Sequence, residues 1–424
     1  MNLISQKIEK LNGTVKIPAS KSHTIRALII STLAEGQSVL LDPLKSGDTI
    51  SCLEACRAFG AEITEEENKW IVNGKGVANP PTEIIDVGNS GTSLYLLLSA
   101  AALIPGESTF TGDYQIQRRS AQSLINSLND LGAKCFSTKG NGCAPLVVHG
   151  KLKGGKTTIE CPTSQYLSSL LISCPLAEGD TEITVPLLNE KPYVEMTLDW
   201  LRSQNIKFEN SDYKIFKITG GQKYKPFTRG IPADFSSATF FLVAAAITGG
   251  DVTLNGLDMN DTQGDKAVVE MLKKMGAEIE TGENFIHVSG GKLTGKILDL
   301  NATPDALPAM AVAGCFAKGE TRLVNVPQAR EKETDRIAVM CKELKNLGAD
   351  IEEMPDGLII RESVLKGGDA HGYDDHRVVM SLAVAGLCSE NPIKIDTAES
   401  AGITFPNFTE LMNSIGAKME KTGN

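Results

Sequence analysis

One short pattern recurs along the chain: an amphipathic stretch that ends in glycine-alanine. It occurs as FGAEI from Phe59, LGAKC from Leu131, MGAEI from Met275, LGADI from Leu347 and IGAKM from Ile415, and QNIKF from Gln204 fills the gap in the series. Six such points about 70 residues apart indicate six copies of one supersecondary unit, longer than the common solenoid repeats. A second series of turns before alternating strands, such as AEGQSVLL and AKGETRLV, has the same period. Each repeat is therefore predicted to contain a helix, a turn, a strand, a helix, a glycine C-cap and two short strands.

The composition limits the classes to which the chain can belong. Its 424 residues, 41% hydrophobic and 22% charged, are enough for two or more folded domains. The apolar runs are shorter than the roughly 20 residues that span a bilayer, and the N-terminus lacks the pattern of a signal peptide. A net charge of −10 argues against a general nucleic-acid binder. We therefore expect a cytoplasmic protein that associates with neither membrane nor nucleic acid.

The nine cysteines are spread along the chain, and none forms a CxxC pair or stands at metal-ligand spacing from a histidine. Cys52 and Cys56 share one face of a predicted helix. We expect buried, reduced thiols, the state typical of cytosolic proteins, and no metal site.

The first helices of the six repeats begin with unusual side chains. They start at ASKSHTIRA, VGNSGTSLY, CPTSQYLSS, PADFSSATF, TPDALPAMA and YDDHRVVMS. Serine, threonine, asparagine and aspartate there are ordinary N-cap residues. Lys21, Arg26 and Arg377 are not, because the partial positive charge of a helix N-terminus disfavours cations. Only ligands with several negative charges are expected to stabilise this arrangement.

The second helices of the repeats continue the pattern. IQRRSAQS and REKETDRI are predicted to bring Arg119, Lys332, Glu333 and Arg336 to the first turns of their helices. Lys332 and Arg336 are four residues apart and are expected to share one helix face. Taken alone, REKETDRI has the alternative interpretation of a salt-bridged surface turn.

These motifs resemble those of the 5-enolpyruvylshikimate-3-phosphate (EPSP) synthase family, and the similarity runs from about Ile17 to Pro406. The matching stretches are PASKSxxxRAL, GNSGTS, RRS, TSQYLSSLL, KPYVEMT, ADFSSA, QGD, TPDALPAMA, KETDR, DDHR and TFPNF. KETDR followed by DHR about 40 residues later is the most specific of them. The resemblance implies an α/β (α+β) fold of two domains, each with three βαβαββ units whose helix N-termini face an interdomain cleft.

The resemblance also implies the domain bounds. Residues 20–230 are expected to form an N-terminal domain, mostly on the 3-phosphoshikimate side. Residues 1–19 with 231–424 are expected to form a C-terminal domain that carries the base and part of the phosphoenolpyruvate site. The first strand, in KIEKLNGTVKIPA, is expected to complete this second domain, and two chain crossings would permit hinge closure.

The implied reaction transfers the carboxyvinyl (enolpyruvyl) group of phosphoenolpyruvate to the 5-hydroxyl of 3-phosphoshikimate and releases phosphate. It passes through a tetrahedral intermediate, needs no metal or organic cofactor, and belongs to chorismate and aromatic amino-acid biosynthesis. By resemblance, Asp305 is the base, Glu333 protonates the methylene carbon, and Lys21 bridges both substrates and relays a proton. An N-cap role is the alternative for Asp305. His376 is expected to be either an ordering residue or a proton participant.

The resemblance assigns binding residues to each substrate. Those for 3-phosphoshikimate are Lys21, Ser22, Arg26, Thr163, Ser164, Gln165, Tyr193, Asp305, Gln328 and Lys332. Those for phosphoenolpyruvate are Lys21, Gly91, Arg119, Gln165, Arg336 and Arg377. We expect small anionic substrates as partners and a monomeric protein.

The chain departs from the family pattern at several positions. Tyr95 stands where many members have an arginine, and Ile403 stands where many have a lysine that contacts phosphoenolpyruvate. Glu190 replaces a serine that usually contacts the shikimate phosphate. Gln328 stands where asparagine is common, and Ser120 replaces the proline that usually follows the arginine. Two alternatives therefore stay open. A UDP-N-acetylglucosamine enolpyruvyl transferase would need the reactive cysteine that GDYQIQRRS lacks, and a non-catalytic binder of anionic metabolites would not need Lys21, Asp305 and Glu333.

Overall fold

A computed structural model of the chain describes residues 1–76 and 80–423. The chain divides into two compact units. The terminal unit consists of Met1–Pro18 and Pro232–Asn424, and the central unit of Ala19–Ile231. The chain thus passes from one unit to the other twice, after Pro18 and after Ile231.

The elements follow one another in the order that the repeats predict. The N-terminal strands are β1 (Asn2–Gln6) and β2 (Asn12–Lys16). The elements of the central unit are α1 (Lys21–Leu33), β3 (Glu35–Leu41), α2 (Gly47–Ala58), β4 (Glu62–Glu65), β5 (Lys69–Lys75), β6 (Ile85–Asp86), α3 (Gly91–Ala101), β7 (Glu107–Thr111), α4 (Gln122–Asp130), β8 (Lys134–Ser137), β9 (Leu146–His149), β10 (Gly155–Thr158), α5 (Ser164–Ser173), β11 (Thr181–Thr184), α6 (Lys191–Ser203), β12 (Phe208–Ser211), β13 (Ile215–Ile218) and β14 (Thr228–Gly230).

The rest of the terminal unit has the same composition of elements. They are α7 (Phe235–Thr248), β15 (Asp251–Asn255), α8 (Ala267–Met275), β16 (Ala277–Gly282), β17 (Phe285–Gly291), β18 (Ile297–Asp299), α9 (Leu307–Cys315), β19 (Glu320–Val324), α10 (Arg336–Asn346), β20 (Asp350–Met354), β21 (Gly357–Arg361), β22 (Gly368–Ala370), α11 (His376–Gly386), β23 (Ile393–Ile395), α12 (Phe408–Ser414) and β24 (Lys418–Thr422). Short 3₁₀ turns lie at Ile116–Arg118, Cys174–Leu176, Gly264–Lys266, Pro304–Ala306, Pro327–Glu331 and Ala398–Ile403.

The described strands form six four-stranded sheets, three in each unit, which confirms the predicted number of repeats. In the second repeat, for example, the strand order is β6-β7-β9-β8. The first pair, β6 and β7, is parallel and is joined by α3, while the other neighbours are antiparallel. Each repeat is therefore a βαβαββ unit, as the family resemblance implied.

Three sheets are completed by strands that are distant in sequence. β14 pairs in parallel with β3, so the end of the central unit closes its first sheet. β2 pairs in parallel with β15, and β1 lies between β23 and β24. β2 is the strand expected in KIEKLNGTVKIPA, and it completes a sheet of the terminal unit as expected, but it is not the first strand of the chain. Asn2–Gln6 forms a further strand, and the two strands complete two different sheets.

Each repeat contains one inner and one outer helix. The inner helices are α1, α3 and α5 in the central unit and α7, α9 and α11 in the terminal unit; every residue of α3, α9 and α11 is buried. The outer helices bury one stripe only, as α8 does with Val268, Val269, Leu272 and Met275. A helix that is apolar all round has to lie in a core, whereas an amphipathic helix covers one. This difference places the inner helices at the centre of each unit.

The recurrent glycine-alanine pattern has a backbone cause. The first or second residue after each outer helix has a positive φ, which glycine adopts without steric cost. The angles are 94° at Gly60, 96° at Gly132, 111° at Gly276, 104° at Gly348 and 100° at Gly416. In the exceptional third repeat, Asn205 takes the same role with a φ of 56°. Asparagine is the residue that most often replaces glycine there, so QNIKF belongs to the series.

No helix within residues 1–76 and 80–423 combines the length and apolarity that a membrane span requires. All nine cysteines are free thiols, and Cys52 and Cys56 both lie on α2. Seven cysteines are buried, but Cys341 and Cys388 are only partly buried, so the expectation of buried thiols is wrong for these two. Cys341 belongs to the outer helix α10, which covers the core with one face only.

The positive φ at Gly416 gives a test of the repeat signature. A methyl group there would meet only the Lys10 carbonyl oxygen at 3.9 Å, so Gly416→Ala should act through backbone strain alone. We expect a loss of about 1–2 kcal/mol in the stability of the terminal unit, measured from its urea unfolding midpoint. Gly402→Ala is the matched control, because Gly402 has open space and no positive φ. Equal midpoints for the two variants would contradict this explanation of the repeat.

Candidate active site

The first cation of the central unit is balanced inside the chain. Ser20 caps α1 by accepting a hydrogen bond from the His23 backbone N–H, and Lys21 is the first residue of the helix. The Lys21 Nζ lies 3.0 Å from the Asp48 Oδ2, in the first turn of α2. A carboxylate is favoured at that position by the α2 dipole, so one aspartate serves both helices. The expectation that only ligand anions balance these cations is therefore wrong for Lys21.

Arg26, one turn further along α1, is different. It is 1% exposed, and it holds α1 against α5 and α6. Its donors reach the Thr197 Oγ1 at 2.9 Å, the Ser22 carbonyl at 3.0 Å, the Tyr193 carbonyl at 3.1 Å and the Ser168 Oγ at 3.4 Å. Within the described residues every one of these acceptors is uncharged. Burial lowers the pKa of Arg26 to about 10, which still leaves it a cation at neutral pH.

The first turns of α3 and α5 meet beside Arg119. The Gln165 Nε2 donates to the Thr92 Oγ1 at 2.9 Å. A methyl group on Gly91 would lie 2.8 Å from the Arg119 Nη1 and 3.8 Å from the Gln165 Oε1. The absence of a side chain at Gly91 therefore makes room for the guanidinium over the start of α3. Gly91, Arg119 and Gln165, predicted to bind one substrate, are thus neighbours.

Arg119 does not lie in a helical first turn, contrary to expectation. It follows the 3₁₀ turn Ile116–Arg118 in extended conformation, and α4 begins only at Gln122. The Asp113 Oδ1 accepts hydrogen bonds from the backbone N–H groups of Gln115 and Ile116. These bonds stabilise a turn before Arg119, and the helix begins after it.

A carboxylate occupies the start of α5. The Glu190 Oε2 accepts hydrogen bonds from the Ser164 N–H at 3.1 Å, the Ser164 Oγ at 2.8 Å and the Thr163 Oγ1 at 3.3 Å. Glu190 directly precedes α6, with a φ of 57°, and is buried. Tyr193 follows in the first turn of α6, where its carbonyl accepts from Arg26. These residues join α1, α5 and α6 at their N-terminal ends.

The terminal unit contains a dense network around Arg336, which is 1% exposed. Its donors lie 2.9 Å and 3.1 Å from the two oxygens of Asp375, 2.9 Å from the Asp305 Oδ1 and 2.5 Å from the Glu333 Oε2. The Arg377 Nη2 lies 2.8 Å from the other Asp305 oxygen. The four predicted residues Asp305, Glu333, Arg336 and Arg377 are thus brought together, with Asp375 as a fifth member.

The charges of this network stabilise one another. Burial acts to lower the pKa of Arg336, but the carboxylates of Asp375, Glu333 and Asp305 outweigh burial and raise it above its ordinary value. Burial likewise acts to raise the pKa of Asp375, and the Arg336 guanidinium outweighs it, so the pKa is lowered. Arg336 and Asp375 are therefore both charged at neutral pH.

Two predicted helix starts are wrong in this unit. Asp305 lies in the 3₁₀ turn Pro304–Ala306, one turn before α9, and its carboxylate pairs with arginines instead of capping the helix. Helix α10 begins at Arg336, because the Asp335 carboxylate caps it by accepting from the Ala338 N–H. Lys332 and Glu333 precede α10, so Lys332 and Arg336 do not share a helix face.

The remaining predicted residues have simpler surroundings. Gln328 is buried in the 3₁₀ turn Pro327–Glu331 and donates to the Asn301 carbonyl at 2.9 Å. Ser22 and Lys332 are partly buried. His376 is buried as the first residue of α11, next to Asp375.

Tyr95 and Ser120, two further departures from the family pattern, contact each other. The Tyr95 ring packs edge-on against Tyr166 with ring centres 5.0 Å apart, and its hydroxyl donates to the Ser120 carbonyl at 3.3 Å. The Tyr166 hydroxyl donates to the same carbonyl. Ile403 ends the 3₁₀ turn Ala398–Ile403 and is partly buried.

Sequence reasoning missed the roles of Asp48, Asp375 and Thr92. Asp375 stands in the DDHR motif and caps α11 by accepting from the Arg377 N–H at 2.9 Å, a role that its place before an apolar run could have indicated. Its contact with Arg336, like that of Asp48 with Lys21, joins residues of different elements and has no local signal. No group of three or more His, Cys, Asp or Glu side chains in the described parts of the chain is arranged to hold a metal ion.

Two units of βαβαββ repeats, with cations, hydroxyls and carboxylates gathered at helix starts, define an α/β enzyme class that acts on small anions. The sequence model of one family, EPSP synthase (3-phosphoshikimate 1-carboxyvinyltransferase), matches residues 5–412 of the chain. The chain belongs to this family. It is accordingly an enzyme, a transferase of the shikimate pathway that transfers a carboxyvinyl group to 3-phosphoshikimate.

Individual relatives agree with the family match. The chain is 56% identical to a 3-phosphoshikimate 1-carboxyvinyltransferase of Acetivibrio thermocellus over 98% of both chains. It is 54% identical to that of Ruminiclostridium cellulolyticum, over 98% of this chain and 99% of the relative. The solved structure of EPSP synthase from Acinetobacter baumannii superposes with a TM-score of 0.83 at 30% identity, over 99% of this chain and 100% of that chain. This likeness confirms the predicted two-domain α/β fold class.

The buried pair of Arg336 and Asp375 predicts a large stability effect. Asp375→Ala leaves a buried guanidinium with one carboxylate fewer, and we expect a loss of about 3–5 kcal/mol in urea unfolding at neutral pH. Asp369→Ala, at an exposed position on β22, is the control and should change stability by less than about 0.5 kcal/mol.

The same pair sets the pH dependence of this effect. Because the folded pKa of Asp375 is lowered, its stabilisation is complete above about pH 4 and is lost as the pH falls through the folded pKa. The difference between wild type and Asp375→Ala should therefore shrink in acid. A constant difference down to low pH would contradict the ion-pair explanation.

Proposed function

We propose that Asp305 is the base when the chain transfers the enolpyruvyl group of phosphoenolpyruvate to the 5-hydroxyl of 3-phosphoshikimate. The observation that carries this proposal is the position of Asp305. Its two carboxylate oxygens each contact a different arginine, Arg336 at 2.9 Å and Arg377 at 2.8 Å, and Glu333 contacts the first of these. The residues proposed as base and acid thus share one ion-pair network with two arginines.

The network suggests how the donor substrate prepares the base. Phosphoenolpyruvate carries a phosphate and a carboxylate, and arginine binds both with two parallel hydrogen bonds. When these anions take donors of Arg336 and Arg377, the Asp305 carboxylate loses hydrogen bonds to its charged form. Its proton affinity then rises, since hydrogen bonds to a carboxylate favour ionisation. Donor binding would therefore convert a salt-bridged carboxylate into a general base.

The proposed reaction balances as an addition followed by an elimination. Asp305 accepts the proton of the 5-hydroxyl while that oxygen forms a bond to C2 of phosphoenolpyruvate. Glu333, which is paired with Arg336 and has to take up a proton when the donor displaces it from that arginine, delivers this proton to C3. In the second step the Glu333 carboxylate takes a proton from C3, the double bond re-forms, and the bond from C2 to the phosphate oxygen breaks. The phosphate leaves with the proton that Asp305 accepted in the first step. Lys21 is proposed to neutralise the anions and relay a proton. His376, which is buried beside Asp375, is proposed to order that carboxylate.

Binding roles are proposed for the two units separately. The central unit would bind most of 3-phosphoshikimate through Lys21, Ser22, Arg26, Thr163, Ser164, Gln165 and Tyr193. It would also contribute Gly91 and Arg119 to phosphoenolpyruvate. The terminal unit would contribute Asp305, Gln328 and Lys332 for the acceptor, and Arg336 and Arg377 for the donor. Buried Arg26, with uncharged acceptors only, is suited to the carboxylate of the acceptor.

We propose further that the chain works as a monomer in the cytoplasm. The large exposed apolar side chains, such as Ile84, Ile297 and Val364, are far apart in sequence and belong to different repeats. Nine free thiols suit a reducing compartment. Light scattering after size-exclusion chromatography tests the first point, and a mass near the calculated 45.3 kDa is the expected result.

A phosphate-release assay tests the proposed reaction. Phosphate should appear when phosphoenolpyruvate and 3-phosphoshikimate are both present, and neither substrate alone should release it. Release with UDP-N-acetylglucosamine in place of 3-phosphoshikimate would contradict the acceptor assignment. Binding of both substrates without phosphate release would indicate a non-catalytic binder.

Asp305→Asn tests the base. Asparagine keeps the size of the side chain and can still accept hydrogen bonds, but it cannot take a proton, so we expect kcat to fall at least ~100-fold. Asp299→Asn, at an exposed position on β18 in the same unit, should leave kcat unchanged. If kcat in Asp305→Asn stays near the wild-type value, another group is the base.

A further inference from the structure

The start of α5 has the donor set of an anion site, and the anion there belongs to the chain itself. The backbone N–H and hydroxyl of Ser164 and the hydroxyl of Thr163 all point to one oxygen of Glu190, at 3.1, 2.8 and 3.3 Å. Backbone N–H groups at a helix N-terminus together with hydroxyls are the usual donors for a phosphate group. The Glu190 carboxylate therefore takes the position that such a group would take.

Glu190 reaches this position from a neighbouring element. It precedes α6 with a φ of 57°, and its side chain does not cap α6 but crosses to α5. The carboxylate is nine-tenths or more buried, at 2% exposure of the residue. Lys191, the next residue, places its ammonium over the Tyr213 ring. The carboxylate is thus directed at the α5 donors.

The acceptor has two anionic groups, and the central unit has two features that could receive them. A planar carboxylate suits the guanidinium of Arg26, whereas a phosphate suits the tetrahedral spread of N–H and hydroxyl donors at α5. Among the described residues the hydrogen-bond partners of Arg26 are all uncharged. The donors at the start of α5 already bind the Glu190 carboxylate. Two anions cannot share those donors, because like charges at such a distance repel strongly in a buried place.

We propose that Glu190 is a specificity-determining residue that occupies the phosphate position of the acceptor site and has to be displaced when 3-phosphoshikimate binds. This inference rests on the proposed function, in which Thr163 and Ser164 bind the acceptor. Displacement opposes binding of the phosphorylated acceptor, while an acceptor without a phosphate can bind with Glu190 in place. Glu190 therefore reduces the ratio by which the site binds a phosphorylated acceptor more tightly than an unphosphorylated one.

Calorimetric titration of the full chain with 3-phosphoshikimate and with shikimate tests this proposal. Glu190→Ser removes the carboxylate, and Glu190→Gln removes its charge while keeping its size. We expect at least roughly tenfold tighter binding of 3-phosphoshikimate by Glu190→Ser, a smaller gain by Glu190→Gln, and shikimate affinity within about twofold of wild type. Glu182→Gln and Glu182→Ser are matched controls, because Glu182, on β11, pairs with Lys156 on β10 and should affect neither ligand.

The proposal is overturned if the Glu190 variants do not increase the ratio of the dissociation constant for shikimate to that for 3-phosphoshikimate above its wild-type value. Melting curves identify a variant that fails to fold, and Glu190→Gln then decides, since it preserves the packing. Phosphate release by the wild type with both substrates tests the proposed function independently. If the wild type turns over but the ratio does not change, only the role of Glu190 is wrong. If no variant binds 3-phosphoshikimate and none turns over, both proposals are wrong.

Discussion

The first turns of helices are the constraint on which the rest of this structure depends. A helix start leaves N–H groups without intrahelical partners and carries partial positive charge, so it attracts anions and disfavours cations. This chain nevertheless places Lys21 and Arg26 near the start of α1, Arg336 at the start of α10 and Arg377 at the start of α11. Each cation needs compensation, and the way it is compensated determines what each site can bind.

The cations at the helix starts are compensated differently in the two units. In the terminal unit, three carboxylates surround Arg336, and one of them, Asp305, also holds Arg377. Both arginines are thus paired with carboxylates of their own unit. In the central unit, Asp48 balances Lys21, but Arg26 is surrounded by uncharged oxygens. Under the proposed function, a ligand anion would exchange with a carboxylate in the terminal unit, whereas in the central unit it would meet a buried cation with uncharged partners.

Much of the fold could be predicted, because its signals are local and repeated. A glycine after each outer helix marks a backbone with positive φ, and Asn205 marks the same backbone in the repeat that lacks glycine. The caps Ser20, Ser90 and Asp375 mark the starts of three inner helices. Prediction failed where a side chain far along the chain changed the local outcome. Asp305 looked like an N-cap because its partners Arg336 and Arg377 lie far along the chain. The turn before Arg119 is a different case, because there the competing interaction is local: Asp113 accepts from the N–H groups of Gln115 and Ile116.

By itself the sequence determined the six repeats, the two helix types and the residues that gather at helix starts, since periodicity and capping depend on neighbours within a few positions. It also pointed to the family through motifs such as KETDR and DDHR. Only the tertiary structure decided which anion meets which cation. Asp48 pairs with Lys21, Asp375 with Arg336, and Glu190 with the start of α5 because packed helices bring first turns together. Such contacts join residues that are 26 to 39 positions apart, and no local pattern encodes the choice among several available carboxylates.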